Sequence, residues 1–313
     1  MAVEIGGTKL QWAVGRPGEP WCALERRRVV PEEGAQGILR QLAEGIEPLT
    51  TQWKLRRVGV GFGGPVDVAS GTVTTSHQIR GWDGFELAKW FQEVLGLAAT
   101  VANDCDTAAL GEATLGAGRG ARRVFYVTVG SGIGGGFVQE GRIYGTDRPA
   151  ASEIGHLRPG TGAEDARQTV ESVASGWGLA RQAVARMNHP ALTDQPADVA
   201  DLRRRAGGRD AALDARMLAE AAHEGNRLAA SVIADGVQML GWAIAQVITL
   251  LAPDVVVVGG GVSLMGDALF WNPLREQVRK YVFPPLAHEA KIVPAALGEE
   301  VVLHGALLLP ESA

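Results

Sequence analysis

VFYVTVGSGIGGGFVQEG, residues Val124 to Gly141, is the stretch on which the reading of the fold turns. An apolar, β-branched run enters a loop with five glycines, and a second apolar run leaves it. Gly130, Gly132 and Gly135 satisfy the G-x-G-x-x-G spacing of dinucleotide-binding loops. That fingerprint needs a helix directly behind the loop, because the pyrophosphate rests on the helix N-terminus. Here the exit, Phe137 to Gly141, is a short strand-like run ending in a turn. The stretch therefore predicts a β-hairpin with a glycine-rich tip. Such a tip can still hold phosphate, since backbone N–H groups without neighbouring Cβ atoms approach an anion closely and form an anion-binding nest. Tight hairpins usually need one or two glycines, not five. The loop alone leaves two readings open, a phosphate cradle and a loose turn.

Working outward, the same device opens the chain. Ala2 to Ile5 predicts a strand, Gly6-Gly7-Thr8-Lys9 a turn, and Leu10 to Val14 a second, alternating strand. Two strand–glycine–strand units about 120 residues apart suggest two similar domains facing one another, each offering a hairpin to a shared ligand. Coincidence between two glycine turns is the alternative. Gly34 to Leu49 has helical spacing, with Ile38, Leu39, Leu42 and Ile46 on one face. Arg57 to Phe62 is a strand ending in Gly63-Gly64-Pro65, and Asp83 to Leu95 reads as a helix. Ala98 to Ala102 is a strand that ends at Asn103-Asp104, with helical composition from Thr107 to Leu115. Glu171 to Met187 is helical, and Asn188 to Asp214, with Pro190, Pro196 and Gly207-Gly208, is a polar surface excursion. Ala215 to Leu251 reads as long helices, buried around Val237 to Leu250. Asp254 to Val258 does not alternate, as expected of a strand buried on both faces, and Gly259-Gly260-Gly261 follows. Asn272 to Val282 and Leu303 to Leu309 complete the helices. Strands alternating with helices give an α/β protein with largely parallel central pairing and antiparallel hairpins at the glycine turns.

Composition bounds the function. A chain of 313 residues suits two domains, and 46% apolar residues supply substantial cores. A net charge of −5 argues against nucleic acid as the main partner. No basic segment precedes an apolar one at the start, so no signal peptide is expected. The most apolar segment, Ala243 to Val258, is interrupted by Pro253-Asp254 and is too short to span a bilayer. Cys22 and Cys105 alone make neither a zinc site nor a disulfide framework. A soluble cytoplasmic protein is expected.

The sequence holds no G-x-x-x-x-G-K-[ST], no G-x-S-x-G and no H-E-x-x-H. Asp104 is the sharpest chemical candidate. It stands where a strand ends and a helix begins, the position at which open α/β sheets place ligands. There a carboxylate can accept a proton from a substrate hydroxyl, or simply cap the helix. The helix dipole favours its ionised form, the state a base requires. Glu153 and His156, in Ala151-Ser152-Glu153-Ile154-Gly155-His156, can hydrogen-bond a polyhydroxylated ligand, or the histidine can be a satisfied buried side chain. Glu171, at a helix start, is by itself an ordinary first-turn carboxylate.

Five motifs then occur in order: Glu4-Ile5-Gly6-Gly7-Thr8-Lys9, Asn103-Asp104 with Ala108-Ala109-Leu110-Gly111-Glu112, Gly130-Ser131-Gly132-Ile133-Gly134-Gly135-Gly136, Glu153-Ile154-Gly155-His156, and Pro253 through Val262-Ser263. Together they resemble the ROK family (repressors, open reading frames and sugar kinases) of the actin-like ATPase superfamily, over nearly the whole chain. The resemblance implies two actin-like (ribonuclease H-like) domains with a ligand cleft between them, residues 1–102 plus 294–313 and residues 103–293. It implies an ATP-dependent hexose kinase, most nearly a glucokinase, with Mg²⁺ bridging the phosphates. Gly6, Gly7, Thr8 and Lys9 would form one phosphate loop, Gly130, Ser131, Gly132 and Gly134 the other, and Gly259, Gly260 and Gly261 would lie near the adenosine. Asp104 would be the general base on a sugar hydroxyl, usually the 6-hydroxyl. Asn103, Glu153, His156 and Glu171 would hold the other hydroxyls, with Gly64 and Pro65 lining the sugar site. A homodimer is usual in the family.

Three departures stand out. Glu4 replaces the common aspartate near the magnesium, a change of geometry rather than of activity. Gly160 to Val170 lacks the family's cysteine cluster, so structural zinc is not expected and His156 faces the sugar only. Cys105-Asp106 follows the catalytic aspartate in place of Ala-Asn, with a small expected effect on Asp104. The alternatives are a kinase for fructose, mannose or an N-acetylated amino sugar, a sugar-sensing regulator, and a sugar-binding protein without catalysis. A regulator needs a DNA-binding segment ahead of the first hairpin, which begins at residue 2.

Overall fold

A computed structural model describes residues 1–76, 78–189, 196–289 and 291–309. Contacts group the chain into two units: Met1–Tyr126 with Gly136–Ser152 and Ala295–Ala313, and Val127–Gly135 with Glu153–Pro294.

The first unit is built on β1 (Ala2–Ile5), β2 (Lys9–Val14), β3 (Ala23–Arg28), helix α1 (Gly34–Gln52) and β4 (Arg57–Phe62). Short strands β5 (Val66–Asp67), β6 (Thr72–Val73) and β7 (Phe85–Glu86) follow, then α2 (Leu87–Leu95), β8 (Ala98–Asn103) and α3 (Asp104–Thr114). The main sheet runs β3-β2-β1-β4-β8, antiparallel from β3 to β1 and parallel from β1 to β8. β1 sits at its centre and is buried at every position. Ile38, Leu39, Leu42 and Ile46 of α1 are buried in the core, as their spacing predicts. Gly45 lets that helix close on the sheet: a Cβ there would lie 2.1 Å from the Trp12 ring. Burial of each large apolar side chain contributes roughly 1.5–3 kcal/mol.

Two boundaries differ from the sequence reading. The helix expected over Asp83–Leu95 begins only at Leu87, because Phe85 pairs with Val73 in the three-stranded sheet β5-β6-β7 and packs edge-on against Trp82 at 5.3 Å. The helix expected from Thr107 begins at Asp104, because Asn103 Oδ1 caps it, accepting the N–H groups of Cys105 and Asp106.

The remaining elements are β9 (Arg123–Val129), β10 (Ile133–Gln139), β11 (Arg142–Ile143), α4 (Val170–Ala174), α5 (Gly176–Met187), α6 (Pro196–Arg205), α7 (Ala215–His223), α8 (Arg227–Leu251), β12 (Val255–Gly259), α9 (Asn272–Tyr281), β13 (Lys291–Pro294) and α10 (Val301–Ala306). The second sheet runs β11-β10-β9-β12-β13 and repeats the plan of the first, with the strand that enters the glycine turn at its centre. The hairpin reading of Val124–Gly141 holds, but the turn is shorter than expected. Strand β10 starts at Ile133, so Gly134, Gly135 and Gly136 belong to the strand and only Gly130–Gly132 form the tip. Gly136 serves packing: a Cβ there would lie 2.5 Å from the Cys105 carbonyl oxygen and 2.9 Å from Ala109 Cβ.

The helix expected over Glu171–Met187 is broken at Ser175. That residue is extended (ψ 166°), and its hydroxyl caps α5 by accepting the Gly178 N–H. The polar stretch Asn188–Asp214 carries helix α6, and residues 190–195 of it, Pro190 included, lie outside the described residues. The apolar run Ala243–Val258, expected to be too short for a bilayer, is divided between the end of α8 and β12, but α8 itself, with 25 residues from Arg227 to Leu251, is long and apolar enough to cross one by length and composition. Most of that helix is buried inside the protein, as a core helix is. β12 is buried throughout.

Residues 103–126 and 136–152 group with the first unit, where the sequence reading puts them in the second. The reason is α3. Gly111 and Gly305 bring α3 and α10 together, and a Cβ on Gly305 would lie 1.8 Å from the Thr107 carbonyl oxygen. Gly59 and Gly61 of β4 make room for α10 in the same way, against Ala306 and Val302.

Candidate active site

In the first unit, the turn after β1 is closed by the Gly6 N–H donating to the Lys9 carbonyl at 2.9 Å. The N–H groups of Gly7 and Thr8 have no acceptor among the described residues, so they point a pair of free donors from the turn. Behind it, Glu4 is buried, with its carboxylate 3.3 Å from Lys9 Nζ and accepting from Gln11 Nε2. Lys9 Nζ and Gln11 Nε2 each also donate to the Glu299 carbonyl at 3.1 Å, and Arg26 Nε donates to Gln11 Oε1 at 3.1 Å. Burial pushes the Glu4 carboxyl above its ordinary value, and Lys9 and Gln11 oppose that shift.

Asn103 and Asp104 stand at the end of β8. The Asn103 amide donates to the Gly64 carbonyl at 3.1 Å while its oxygen caps α3. The cap role considered for Asp104 thus falls to its neighbour, and Asp104 occupies the first turn, with Oδ1 accepting the Cys105 N–H at 2.8 Å. A Cβ on Gly63 would lie 3.4 Å from Asp104 Oδ2, 3.4 Å from the Ile5 carbonyl and 3.6 Å from Gly6 Cα. The aspartate and the first glycine turn therefore converge on one point, each within van der Waals reach of a Cβ at residue 63. Pro65 accepts the Thr74 N–H through its carbonyl at 2.9 Å, which folds the following loop back beside Gly64.

In the second unit, the Gly130 N–H donates to the Gly132 carbonyl at 2.9 Å. The Gly130 carbonyl accepts from Gly176 at 2.8 Å and the Ser131 carbonyl from Trp177 at 3.3 Å, so the start of α5 holds the turn. The N–H groups of Ser131 and Gly132 have no acceptor among the described residues. Glu171 Oε2 accepts the Ile133 N–H at 2.8 Å and lies 2.6 Å from the position of a Cβ on Gly132. Glu153 and His156 flank Gly155, which packs against Ile133 so closely that a Cβ would lie 2.1 Å from its carbonyl oxygen. Glu153 is half-buried and His156 exposed, and the His156 N–H donates to the Glu153 carbonyl at 3.0 Å. Ile133 thus gathers Glu171 and the Glu153–His156 turn at one end of β10.

Gly259 ends β12. Gly260 has φ 89°, and a Cβ there would lie 2.5 Å from the Val129 carbonyl carbon and oxygen, a conformation and a space that only glycine tolerates. Beside it opens a cavity of about 1110 Å³, lined by Gly130, Ser131, Trp177, Arg181, Gly261 and Leu264 among others. That is just above the range of about 300–1,000 Å³ usual for small-molecule sites. Leu264 is 83% exposed and Trp177 41%, and the Arg181 guanidinium lies 4.8 Å from the Trp177 ring centroid. Among the described residues no group of three or more His, Cys, Asp or Glu side chains is placed to hold a metal ion.

Sequence reading missed Gln11, the Glu299 carbonyl, Trp177 and Leu264. Gln11 carried a signal, a polar residue inside the apolar strand KLQWAV. The others carried none, since a carbonyl 290 residues from Lys9 and two exposed apolar side chains reach the site only through tertiary folding.

The profile of the ROK family matches residues 1–312. A glucokinase of Thermotoga maritima is 30% identical over 319 residues, covering 98% of this chain and 95% of that protein. A ROK family glucokinase from Streptomyces griseus, solved in complex with glucose and AMPPNP, superposes with a TM-score of 0.82 at 29% identity, over 98% of this chain and 97% of that one. A ROK hexokinase from Thermus thermophilus gives 0.79 at 28%, over 98% and 96%. The mixed α/β architecture in two units is the actin-like, two-domain fold of those kinases. On its sequence, its fold and its glycine turns, the chain belongs to the ROK family.

Proposed function

We infer that this chain is an ATP-dependent hexose kinase that transfers the γ-phosphoryl group of ATP to a sugar hydroxyl, with glucose as acceptor and the 6-hydroxyl as nucleophile. The observation that carries this is the meeting of Asp104 Oδ2 and Gly6 at Gly63, a carboxylate beside a turn with free N–H donors. Glucokinase relatives that match nearly end to end support the choice of sugar.

In this reading Asp104 takes the proton from the attacking hydroxyl as the new P–O bond forms and the bond to the ADP oxygen breaks. The transition state of such a transfer is loose, so positioning outweighs base strength, and a carboxylate at a helix start suffices. Asn103, locked by its cap and by Gly64, presents its remaining amide hydrogen to the sugar. Glu153, His156 and Glu171 hold further hydroxyls in the second unit. Gly6 to Lys9 and Gly130 to Gly132 cradle phosphates, and the cavity beside Gly261 takes the nucleoside, with Trp177 and Leu264 as its apolar walls.

The residues fit a magnesium ion carried by the nucleotide. Mg²⁺ in kinases uses phosphate oxygens, waters and at most one or two carboxylates. Glu4 is the carboxylate available beside the first turn, and its charge is already balanced by Lys9. Bound magnesium supplies neutralisation of phosphate charge. The protein works in the cytoplasm as a homodimer on small-molecule substrates, without nucleic acid, membrane or structural zinc.

A coupled ADP-release assay over glucose, fructose, mannose and N-acetylated amino sugars tests the reading. Glucose should give the highest kcat/KM. ADP release with another sugar alone would reassign the acceptor, and sugar binding without ADP release would overturn the kinase.

A further inference from the structure

Gln78 lies where a side chain of residue 7 would be. A Cβ built on Gly7 would meet Gln78 Oε1 at 1.6 Å, Cδ at 2.6 Å and Cβ at 3.0 Å. The carboxamide thus rests on the face of the first glycine turn, against the residue whose N–H is free. It makes no hydrogen bond among the described residues, and the side chain is exposed.

An exposed glutamine with no partner needs a reason to stay in place, and the loop supplies one. Ile79 is 4% exposed and Trp82 1%, both in the core of the first unit, and Trp82 meets Phe62 edge-on at 5.1 Å. Ser76 Oγ accepts the N–H groups of Gln78 at 3.4 Å and Ile79 at 3.3 Å, which shapes the turn on which Gln78 sits. At the other end, the Thr75 carbonyl oxygen lies 3.0 Å from the position of a Cβ on Gly64, and the Gly64 carbonyl carries the Asn103 amide. One anchored loop therefore touches both turns of the first unit that flank Asp104. Its only unpaired polar side chain among those named here points at the phosphate turn.

We propose that Gln78 is a substrate-contacting residue whose carboxamide lies over the Gly6–Thr8 turn and, rotated so that Nε2 takes the place of Oε1 there, donates to the phosphoryl oxygens held by the turn. The proposal rests on the reading of that turn as a phosphate site. A neutral amide suits the task. It donates to an anionic oxygen without titrating and adds no charge to a turn already served by Lys9. Gly7 follows from the same fit, since any side chain there would evict Gln78.

The test compares the intact wild-type chain with Gln78→Ala and Gln78→Glu. Affinity for AMPPNP with magnesium is measured by calorimetry, and kcat and KM by ADP release with glucose. A carboxylate placed against phosphate repels it, so Gln78→Glu should weaken AMPPNP binding by about tenfold more than Gln78→Ala does, and added salt should narrow the gap. Gln78→Ala should lower kcat/KM for ATP by about tenfold and leave the KM for glucose within about twofold. Equal AMPPNP affinities for the Ala and Glu variants, within about threefold, would overturn the proposal. A glutamine that merely shapes the loop would lower the melting temperature of both variants and leave that gap absent. A wild-type chain that binds AMPPNP but phosphorylates no hexose would overturn the kinase reading alone, because the binding comparison still decides the role of Gln78.

Discussion

Asp104 owes its position to its neighbour. Asn103 caps α3, so the aspartate is left in the first helical turn with Oδ2 beside Gly63. Replacing it by asparagine keeps the shape and removes the base. We expect Asp104→Asn to lower turnover by about 10²–10⁴ while the melting temperature stays unchanged, checked by ADP release and thermal denaturation. Loss of fold with loss of activity would speak against the assignment. Glu4 gives a second test, through pH. Its folded carboxyl lies above the ordinary value of 4.5, chiefly through burial. The folded protein therefore keeps this proton in a window where the unfolded chain has released it. The associated stability is fully present below 4.5 and is lost as the pH rises through the folded value. Glu4→Gln does not titrate. Urea melts should show wild type losing ground to this variant as the pH is raised from about 4 to about 7.

At the scale of elements, the two hairpins are built alike and differ in what their glycines do. In the β9–β10 hairpin only Gly130 to Gly132 form the tip. A Cβ on Gly130 would meet nothing within 4 Å, whereas one on Gly132 would meet Glu171 Oε2 at 2.6 Å. Gly130→Val should raise the KM for ATP by about tenfold and leave that for the sugar within about twofold. Gly132→Val displaces Glu171 as well, so both KM values should rise. Steady-state kinetics with each substrate varied separately would show the contrast, and identical behaviour of the two variants would remove Glu171 from the sugar site. The division of residues 170–187 into α4 and α5 belongs to this scale too. Ser175 is fully buried and caps α5, and that cap brings the N–H groups of Gly176 and Trp177 onto the carbonyls of the tip. A continuous helix would have withdrawn them.

At the scale of the whole molecule, the chain returns to its first unit at its end, and Glu112 is one of the ties. Glu112 is fully buried on α3. Its carboxylate accepts the N–H of Ala117 at 2.7 Å and those of Ala296 and Leu297 at 2.9 Å each. The segment so fixed carries the Glu299 carbonyl that holds Lys9 and Gln11. Glu112→Ala leaves three backbone donors unpaired and opens a void, and should cost about 3 kcal/mol or more in a urea melt. A loss below about 1 kcal/mol would mean that the tie is dispensable.

Much of this was legible in residue order. Glycine turns between apolar strands specify hairpins because φ and space are local matters, and a polar pair at a strand end marks a ligand-facing position because the α/β plan is regular. Those local rules, with five motifs in order, determined the family, the fold class and the set of candidate residues. They did not say which residue caps α3, where the glycine tip stops, or which unit α3 joins. Each of those depends on partners far along the chain: Asn103 on Gly64, Gly136 on Cys105, Gly111 on Gly305. Glu4 shows the division most plainly. Its identity is written in the sequence, but its raised proton affinity and its hold on Lys9 come from burial and from a carbonyl near the other end of the chain. Tertiary packing alone decides such matters, because desolvation and a shared acceptor exist only once distant segments have closed around the group.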